Sequence, residues 1–510
     1  MSTAKKTIVN NVAIVLICSI IAKLLSFIWE AVIAYSFGAT NQTDALYMSV
    51  SIFNILFPMI DMGIWKVFLP IYKKTLIQKD LKSANRIANI SITFFLSASV
   101  LFIAALVLLA KPLVFLIAPG FTPEKQSLTV QFIRIATPAY LFMVLASIIG
   151  AVLQCHNHFF GSQIREVSTH LSKIIFFLIF YRFFGIYAAV FAIIIGSIFR
   201  LIIQIPFIKW GWKYSPDFSF KDQDLLQLLK GLPSVAITAA IAQINTTIDK
   251  AFASASTAGS IACLNYGYRL VNVFSGMISA SIGTATYPVM VQYIAEDNSK
   301  KLERLLTEVI GILMFLIIPI SVFCFVFSDS IVYIAFQRGA FDSSATALSS
   351  SIFARYCIGM IFLGLTTVLS NVFYAFGDTK TTLHISLVDI VLNIILDYFM
   401  YKTIGVAGLA LATSISAMLC TAIRFVVLKR YVSIDYLFIL KELLKIIIAS
   451  LSSVLFARYM INLFGMENHY FLIITSLAIV LIFYFVISKI LKCHTLDLSS
   501  SFLKNKLKKQ

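Results

Sequence analysis

The residues of this sequence that could do chemistry are charges and amides placed inside long apolar stretches. In the first stretch Lys23 and Glu30 are seven residues apart, which puts them two helical turns apart on one face, with Ser26 between them. A charge at the centre of a bilayer costs about 3 kcal/mol on the insertion scale, so such a side chain must face a cavity or a partner. Two interpretations stay open for this pair: an ion pair that holds helices together, and the lining of a polar cavity.

A second polar group is formed by Asn265, Arg269 and Asn272, which follow an i, i+4, i+7 pattern along one helix face. Arg269 lies too deep in its apolar stretch for its side chain to reach the membrane surface comfortably. The planar guanidinium fork binds oxyanions such as phosphate through two hydrogen bonds. Phosphate binding is therefore one interpretation of Arg269, and pairing with a neighbouring carboxylate is the other.

Carboxylates and amides are paired at helical spacing in two further apolar stretches. Asn245 and Asp249 are four residues apart, as are Asn393 and Asp397, and Asp389 precedes Asp397 by two turns. Hard oxygen ligands of this kind suit Na⁺, and they can also relay protons. Cation coupling, proton relay and plain hydrogen bonding between helices are all consistent with the spacing.

The sequence contains no motif of a soluble enzyme. It has no nucleotide-binding G-x-x-x-x-G-K-[ST], no zinc-binding H-E-x-x-H and no dinucleotide fingerprint after a strand. The cluster Cys155-His156-Asn157-His158 is the one metal-like group, and its place at a helix end predicts a solvated loop rather than a metal site. We therefore expect no enzyme activity and no cofactor other than a coupling ion.

The composition indicates a membrane protein. Hydrophobic residues make up 60% of the 510 residues and charged residues 13%, with a mean hydropathy of +0.92, whereas a soluble domain is about half apolar and about one quarter charged. A spanning helix needs about 20 mostly apolar residues. That criterion predicts an all-α polytopic protein of about 14 transmembrane helices, at 8–37, 44–70, 87–110, 128–153, 167–182, 186–208, 231–253, 261–290, 306–327, 348–375, 382–401, 405–428, 441–462 and 469–491.

Lysine and arginine residues concentrate in alternate loops of this arrangement. With a cytoplasmic N-terminus, the inner segments 73–86, 209–230, 300–304 and 429–430 and the tail 504–509 hold most of them. This positive-inside bias places both termini in the cytoplasm. It also explains the net charge of +18 without a nucleic-acid partner. We therefore expect a multi-pass protein of the bacterial cytoplasmic (inner) membrane.

Two loop-and-helix segments repeat one another. Ile117-Ala118-Pro119-Gly120-Phe121 in one outer loop matches the stretch from Ile334-Ala335 to Gly339-Ala340-Phe341 in a later one, and a helix of similar length follows each. The repeat predicts two six-helix lobes, 1–208 and 209–428, followed by 429–510 with two further helices and a basic cytoplasmic tail. Parallel repeats are typical of transporters whose substrate site lies between the halves.

A set of short motifs follows the same order along the chain. They are Phe37-Gly38-Ala39 with Asp44-Ala45, Ala118-Pro119-Gly120-Phe121, Tyr266 to Arg269-Leu270 with Pro288, Gln337-Arg338-Gly339-Ala340-Phe341, Phe373-Tyr374-Ala375 with Asp378-Thr379-Lys380-Thr381, and the run from Gly405 to Thr413. Together they resemble the MurJ (MviN) family of lipid II flippases, within the superfamily of multidrug, oligosaccharidyl-lipid and polysaccharide exporters. The resemblance covers helices 1 through 12.

That resemblance implies a flippase that carries undecaprenyl-pyrophosphate-linked peptidoglycan precursor (lipid II) across the membrane by alternating access, driven by an ion gradient or the membrane potential. The family's cationic cavity would correspond here to Lys23, Asp44 and Arg269. With Glu30 and Asn265 these residues form the predicted substrate cavity. The expected partners are the polyprenyl-linked glycan lipid and the bilayer. We also expect a monomer that contacts cell-wall synthesis proteins.

The resemblance further implies a sodium site. By position, the family's Na⁺ ligands would correspond to Asp249, Asn393, Asp397, the Leu409 carbonyl and Thr413. Three of these residues already stand out by spacing alone. The resemblance therefore favours Na⁺ as the coupling ion.

Several positions depart from the family pattern. Trp29 and Phe57 stand where the family usually carries arginines, and its Glu-Gly motif reads Asp61-Met62-Gly63, followed by Trp65-Lys66. Lys66 is expected to replace part of the missing positive charge and to join the substrate cavity. Two alternatives for the cargo follow: another polyprenyl-linked oligosaccharide, of the O-antigen, capsule or teichoic type, and a drug carried by cation-coupled antiport.

Overall fold

The chain folds into helices, and no strand occurs in residues 3–210 and 212–496, which are the residues that the computed structural model describes. The helices are α1 Thr3–Phe37, α2 Asn41–Gly63, α3 Leu69–Gln78, α4 Leu81–Ile117, α5 Pro123–Ala136, α6 Ala139–Cys155, α7 Phe159–Phe184, α8 Tyr187–Ile202, α9 Gln223–Ala253, α10 Ser260–Val271, α11 Met277–Ala295, α12 Ser299–Val326, α13 Ser328–Phe336, α14 Ser343–Ala375, α15 Thr379–Ile404, α16 Val406–Leu428, α17 Tyr436–Leu463 and α18 His469–Ile490. A helix satisfies its own backbone hydrogen bonds, which hydrocarbon cannot do. The predicted all-α membrane fold is confirmed.

Each of the 14 predicted segments coincides with a helix or a run of consecutive helices. Among the described residues, 11 helices are long and apolar enough to cross a membrane, and the pair α5–α6, bent by 42°, makes up to 12. The run from Ser260 to Ala295 and helix α17 are helical but fall outside that set. The multi-pass architecture is confirmed, whereas the number of 14 spans stays a prediction.

The chain divides into two compact units, Met1–Ala262 and Cys263–Gln510. In the first unit α7 packs against α1 and α8, and α2 packs against α9 and α5. In the second unit α14 packs against α16, α12 and α11, and α17 packs against α12 and α18.

The seventh predicted span, α9, packs within the first unit, although the sequence assigns it to the second lobe. A packing unit and a sequence repeat are different properties, so the lobe boundaries at 208 and 428 stay predictions. The predicted basic tail falls within 497–510, which lies outside the described residues.

Two helical runs contain a π-helical segment. Between α2 and α3 this segment covers Ile64–Phe68, and the Leu69 N–H donates to the Ile64 carbonyl. Between α10 and α11 it covers Asn272–Gly276. A π segment locally widens a helix and is frequent at functional positions. Lys66 lies inside the first segment, and Arg269 lies just before the second.

Polar caps and one glycine fix several helix ends. The Thr40 and Thr43 side chains form a reciprocal capping box at the start of α2, and Asp80 accepts the Ser83 N–H at the start of α4. Gly185 has φ +53°, a left-handed conformation that favours glycine. It ends α7, and the predicted break between the fifth and sixth segments is therefore confirmed.

In the loop after α6, His156 is packed against other residues, whereas Asn157 is exposed. The Tyr72 hydroxyl and His156 Nε2 share a hydrogen bond of 2.9 Å, and the His156 ring stacks on Trp210 with centroids 4.0 Å apart. Among the described residues no group of three His, Cys, Asp or Glu side chains could hold a metal ion. The prediction of a solvated loop is wrong for His156, because the segment after α8 folds back over its ring.

Candidate functional site

Glu30 lies on the buried face of α1 and is hydrogen-bonded to α2. Its side chain is 3% exposed, and the Tyr47 hydroxyl donates to its Oε2 at 2.6 Å. Lys23, two turns earlier on the same helix, is half-buried. Both residues therefore lie on the same, inward side of α1. Glu30 forms a buried hydrogen bond, whereas Lys23 keeps accessible surface.

Asp44 is the centre of a buried cluster in the first unit. The Lys125 ammonium on α5 donates to its Oδ2 at 2.8 Å. The backbone N–H groups of Gly259 and Ala262 donate to the same carboxylate at 2.9 and 3.0 Å. Ala262 lies in the first turn of α10, where unsatisfied N–H groups and the helix dipole favour an anion. The structure thus gives Asp44 partners from two other helices.

Lys66 is exposed, whereas Asp61, one turn earlier, is half-buried and hydrogen-bonded. The Ser147 hydroxyl donates to Asp61 Oδ1, and the Trp65 indole N–H donates to the same oxygen at 3.3 Å. Within the π-helical segment, Lys66 is thus exposed, whereas the Trp65 before it is hydrogen-bonded to Asp61.

A buried ionic network that the sequence analysis missed adjoins Asp61. Arg200 on α8 donates two hydrogen bonds, of 2.7 and 3.0 Å, to the Glu166 carboxylate on α7. Arg165 lies 3.7 Å from the carboxylates of both Glu166 and Asp61. The two arginines are only 5% and 6% exposed. Two cations and two carboxylates therefore compensate one another, as buried charges require.

The network was missed because the predicted fifth span begins at 167, which leaves Arg165 and Glu166 in an inner loop. The helix begins at Phe159 instead, so both residues lie within it. The opposite charges of Glu166 and Arg200, on the two helices joined at Gly185, could have predicted the pair from the sequence. Glu166 and Arg200 each lie about four to five turns from that glycine in an antiparallel helix pair.

Three aromatic side chains of α1 and the α2 region each carry a cation on the ring face. The pairs are Arg165 over Trp65 at 4.9 Å, Arg200 over Phe57 at 5.3 Å and Lys173 over Trp29 at 4.4 Å from the ring centroids. The negative face of an aromatic ring attracts a cation. At Trp29 and Phe57, where the resemblance leads one to expect arginines, a cation of α7 or α8 thus lies on the ring, and Glu166 compensates the charge of Arg200.

Asn265 and Arg269 lie on α10 in the second unit, and both are half-buried. Asn272, the first residue of the π-helical segment, donates its side-chain amide to the Tyr268 carbonyl at 3.0 Å. The predicted polar stripe is therefore helical along its length. Arg269 keeps accessible surface through which a guanidinium can bind an oxyanion.

Four of the five predicted sodium ligands belong to two packed helices of the second unit, α15 and α16. Asn393 and Asp397 on α15 are fully buried. On α16 the Thr413 hydroxyl donates to the Leu409 carbonyl at 3.0 Å, which leaves lone pairs on both oxygens. Asp249 is buried on α9, in the first unit. Amide, carboxylate, carbonyl and hydroxyl oxygens are the donors that a hard cation prefers, so the four residues of α15 and α16 fit Na⁺ by chemical type.

Asp389 is engaged differently from Asp397. The Ser416 hydroxyl donates to the Asp389 carboxylate, and the buried Arg424 guanidinium lies within electrostatic reach of it. Both partners are on α16. Asp389 thereby links the two helices that carry the predicted sodium ligands.

The family model described as lipid II flippase MurJ matches residues 33–489 of the chain. The chain belongs to the MurJ family. A probable lipid II flippase MurJ from Buchnera aphidicola subsp. Baizongia pistaciae is 29% identical, over 84% of this chain and 85% of its own length.

Two solved structures share the fold. One, a lipid II flippase MurJ in an inward closed conformation, has a TM-score of 0.80 at 23% identity and covers 93% of this chain and 97% of its own. The other is an inward-facing multidrug resistance MATE family transporter of the MOP superfamily. Its TM-score is 0.68 at 16% identity, and the match covers 81% of this chain and 96% of its own.

Membership of the MurJ family identifies the chain as a transporter and not an enzyme. It also identifies a multi-pass protein of the inner membrane, which agrees with the apolar helices described above. The roles of individual residues in binding cargo or cation stay predictions.

Proposed function

We propose that the protein moves lipid II from the inner to the outer leaflet of the cytoplasmic membrane by alternating access. The observation that carries the proposal is the family match over residues 33–489, which includes every predicted cavity residue except Lys23 and Glu30. The fold shared with a MATE transporter supports the alternating-access part. Both termini would lie in the cytoplasm, in keeping with the basic inner loops.

The cargo presents one physical difficulty, a pyrophosphate-linked sugar that hydrocarbon does not solvate. Lys23 and Arg269 are half-buried cations within apolar helices. They would replace the hydration of the phosphates with charge-assisted hydrogen bonds, which are about twice as strong as neutral ones. The polyprenyl chain would stay in lipid, where it needs no polar partner. A monomer would suffice for this task, and contacts with cell-wall synthesis proteins are a separate prediction.

We further propose that Na⁺ biases the transport cycle. Asp249, Asn393, Asp397, the Leu409 carbonyl and Thr413 would hold the ion, and the ion would supply a coupled positive charge. With a negative interior, one charge that crosses 100 mV of potential releases about 2.3 kcal/mol. That free energy shifts a two-state equilibrium by roughly fiftyfold.

A second candidate cargo is a differently decorated polyprenyl-linked glycan. The specific observation behind it is the replacement of cavity charge by Trp29 and Phe57, whose faces are covered by Lys173 and Arg200. Without arginines at these two positions the polar groups available to the sugar differ, whereas Lys23 and Arg269 would still bind the phosphates. A cation-coupled drug antiporter is a weaker alternative, because half-buried cations repel cationic drugs.

The deciding experiment measures flipping of fluorescent lipid II in proteoliposomes, together with complementation of a strain depleted of its own lipid II flippase. The wild-type chain should restore growth and flip lipid II, and Arg269→Ala should abolish both while remaining inserted and folded. Arg430→Ala, at an exposed loop arginine, is the matched control and should retain activity.

Failure of the wild type with lipid II, combined with transport of another polyprenyl-linked glycan, would replace the first candidate with the second. Efflux of cationic dyes would favour the antiporter. Full activity of Arg269→Ala would exclude the phosphate role of that arginine.

A further inference from the structure

An apolar pocket with a volume of about 230 Å³ lies within the first unit, between α2 and α4. Side chains of α2, α4 and α6 line it, among them Leu56 of α2, Ala98 and Phe102 of α4, and Tyr140 of α6. Apart from the hydroxyl groups of Ser99 and Tyr140, every lining side chain is apolar. A buried water needs about two to four polar partners, so the pocket favours a hydrocarbon occupant over water.

The helices around this pocket stand apart at a bend. Both α2 and α4 pack against α5 and α6, but they make at most a marginal contact with each other. The α5–α6 pair bends by 42°, directly before Tyr140, the second residue of α6. On the opposite wall Pro58 lies inside α2, where it cannot donate the helical hydrogen bond. Two irregular helices thus face the space between α2 and α4.

The pocket lies where two hydrophobic clusters of the first unit meet. One cluster includes the buried Tyr140, and the other includes the buried Ile52 and Leu106. Leu56 and Phe102, which line the pocket, pack against both clusters. Atoms beside a void have no dispersion partners on that side. The pocket is therefore a gap in the core, and an apolar occupant would supply the missing contacts.

The pocket lies at mid-span and is continuous with the lipid-facing surface of α4. Its lining residues on α4 fall within 95–102, near the middle of the helix Leu81–Ile117. Because the hydrocarbon core is about 30 Å thick, this level is about 15 Å from either head-group region. Leu101, one turn from Ala98 and next to Phe102, is 74% exposed, and the latter two are half-buried. An exposed leucine at this depth faces lipid, so hydrocarbon borders the pocket.

The size of the pocket is sufficient for part of a hydrocarbon chain. An engineered apolar cavity of about 150 Å³ in another protein stays free of water and binds benzene. The pocket between α2 and α4 is larger, at about 230 Å³. Ala98 and Ser99 are its smallest lining side chains, and a phenylalanine at Ala98 would extend into the space that they leave.

We propose that this pocket binds the end of a phospholipid acyl chain, which packs between α2 and α4 as part of the core. Acyl chains of a phospholipid end near the middle of the bilayer, at the depth of the pocket, while the head group stays at the membrane surface. The polyprenyl chain of the cargo is also hydrocarbon, and its entry into the pocket is one outcome of the test. Binding of an acyl chain does not require transport of lipid II, so the two proposals fail independently.

The test is photo-crosslinking of the full-length protein in nanodiscs that contain phosphatidylethanolamine with a diazirine at the end of one acyl chain. A second probe carries the diazirine next to the glycerol. Mass spectrometry should find the chain-end label on Leu56, Met59 and Phe102, and the glycerol-side probe should leave these residues unlabelled. Exchange into detergent before photolysis should remove the label from the exposed Leu101 but keep it in the pocket, because a bound chain dissociates more slowly than bulk lipid exchanges.

Variants that fill the pocket separate a bound chain from ordinary lipid contact. Ala98→Phe should lose the label at Leu56, Met59 and Phe102 and keep the label at Leu101 in nanodiscs. Ala104→Phe is the matched control, because the exposed Ala104 lies on the same helix outside the pocket, and it should keep all of these labels. Thermal unfolding shows whether each variant is folded, and the smaller change Ala98→Leu replaces Ala98→Phe if the latter does not fold.

Equal labelling of the pocket residues in the wild type and in a folded pocket-filling variant overturns the proposal. Loss of the pocket label together with the Leu101 label on detergent exchange also overturns it, since the contact is then with bulk lipid only. A third probe, lipid II with a diazirine in its polyprenyl chain, tests the other source. Pocket labelling from that probe, with none from the phospholipid, assigns the pocket to the cargo chain and overturns the phospholipid assignment.

Discussion

Replacement of Asp44 by asparagine should destabilise the protein strongly, because Lys125 would keep a buried charge without its counter-ion. The Lys125 Nζ lies 2.8 Å from Asp44 Oδ2, and the side chains are 7% and 1% exposed. Asparagine has nearly the same size but only one acceptor oxygen, whereas the Gly259 and Ala262 N–H groups bond to different oxygens of Asp44. The substitution therefore removes the negative charge and one of these acceptors.

The expected loss follows from the burial of the pair. Removal of one partner from a buried ion pair typically costs about 3–5 kcal/mol of unfolding free energy, because the other charge stays desolvated. Lys125→Met should cost less than Asp44→Asn. In that variant Asp44 keeps two N–H donors and the favourable dipole at the start of its helix. In the double variant the two losses should fall short of additivity by about 1–3 kcal/mol.

The assay is chemical denaturation of the purified protein in detergent, followed by tryptophan fluorescence, for the wild type, both single variants and the double variant. Lys111→Met, at an exposed lysine, controls for the loss of a lysine and should change stability by less than about 0.5 kcal/mol. If Asp44→Asn lies within about 1 kcal/mol of wild type, the reasoning is refuted. Lys125 would then have another way to compensate its charge.

Two further predictions concern the second unit. Asp397→Ala should remove any rise in thermal unfolding temperature on exchange of choline chloride for NaCl, and a Na⁺ response equal to that of wild type would contradict the sodium site. Asp378, in the loop before α15, accepts hydrogen bonds from Thr381 and Tyr431 that lower its pKa to about 2. Because its folded-state pKa lies below the ordinary value of about 3.9, this carboxylate stabilises the fold above pH 4, and that contribution is lost as the pH falls toward 2. The stability of Asp378→Ala should therefore fall less than that of wild type between about pH 5 and pH 2, and parallel titration curves would show that the loop hydrogen bonds contribute nothing.

The three cation–aromatic pairs show that the residue type at one position does not by itself determine which charged groups lie there. The substitutions at Trp29 and Phe57 suggest from the sequence alone that positive charge is lost. In the folded chain the Lys173 and Arg200 cations lie on those rings. Each ring thus has a cation from a neighbouring helix on its face, and the charge of Arg200 is compensated by Glu166.

The positions of the helices are determined by the sequence itself. An apolar stretch of about 20 residues has one stable form in hydrocarbon, because only a helix satisfies every backbone group locally. The same local logic predicts that Asn393 and Asp397 share a helix face, and it predicts the break at Gly185. These features depend on residues close together in the chain.

Only the tertiary structure decided which charges meet. The partners of Asp44 are 81 to 218 residues away along the chain, and Arg200 is 34 residues from Glu166. Periodicity assigns a residue to a face of its own helix, but it does not say which helix packs against that face. The effect of burying a charged side chain on stability depends on the group that packs against it. For Lys173 that group is the ring of Trp29, and Gly196 leaves space for the lysine side chain.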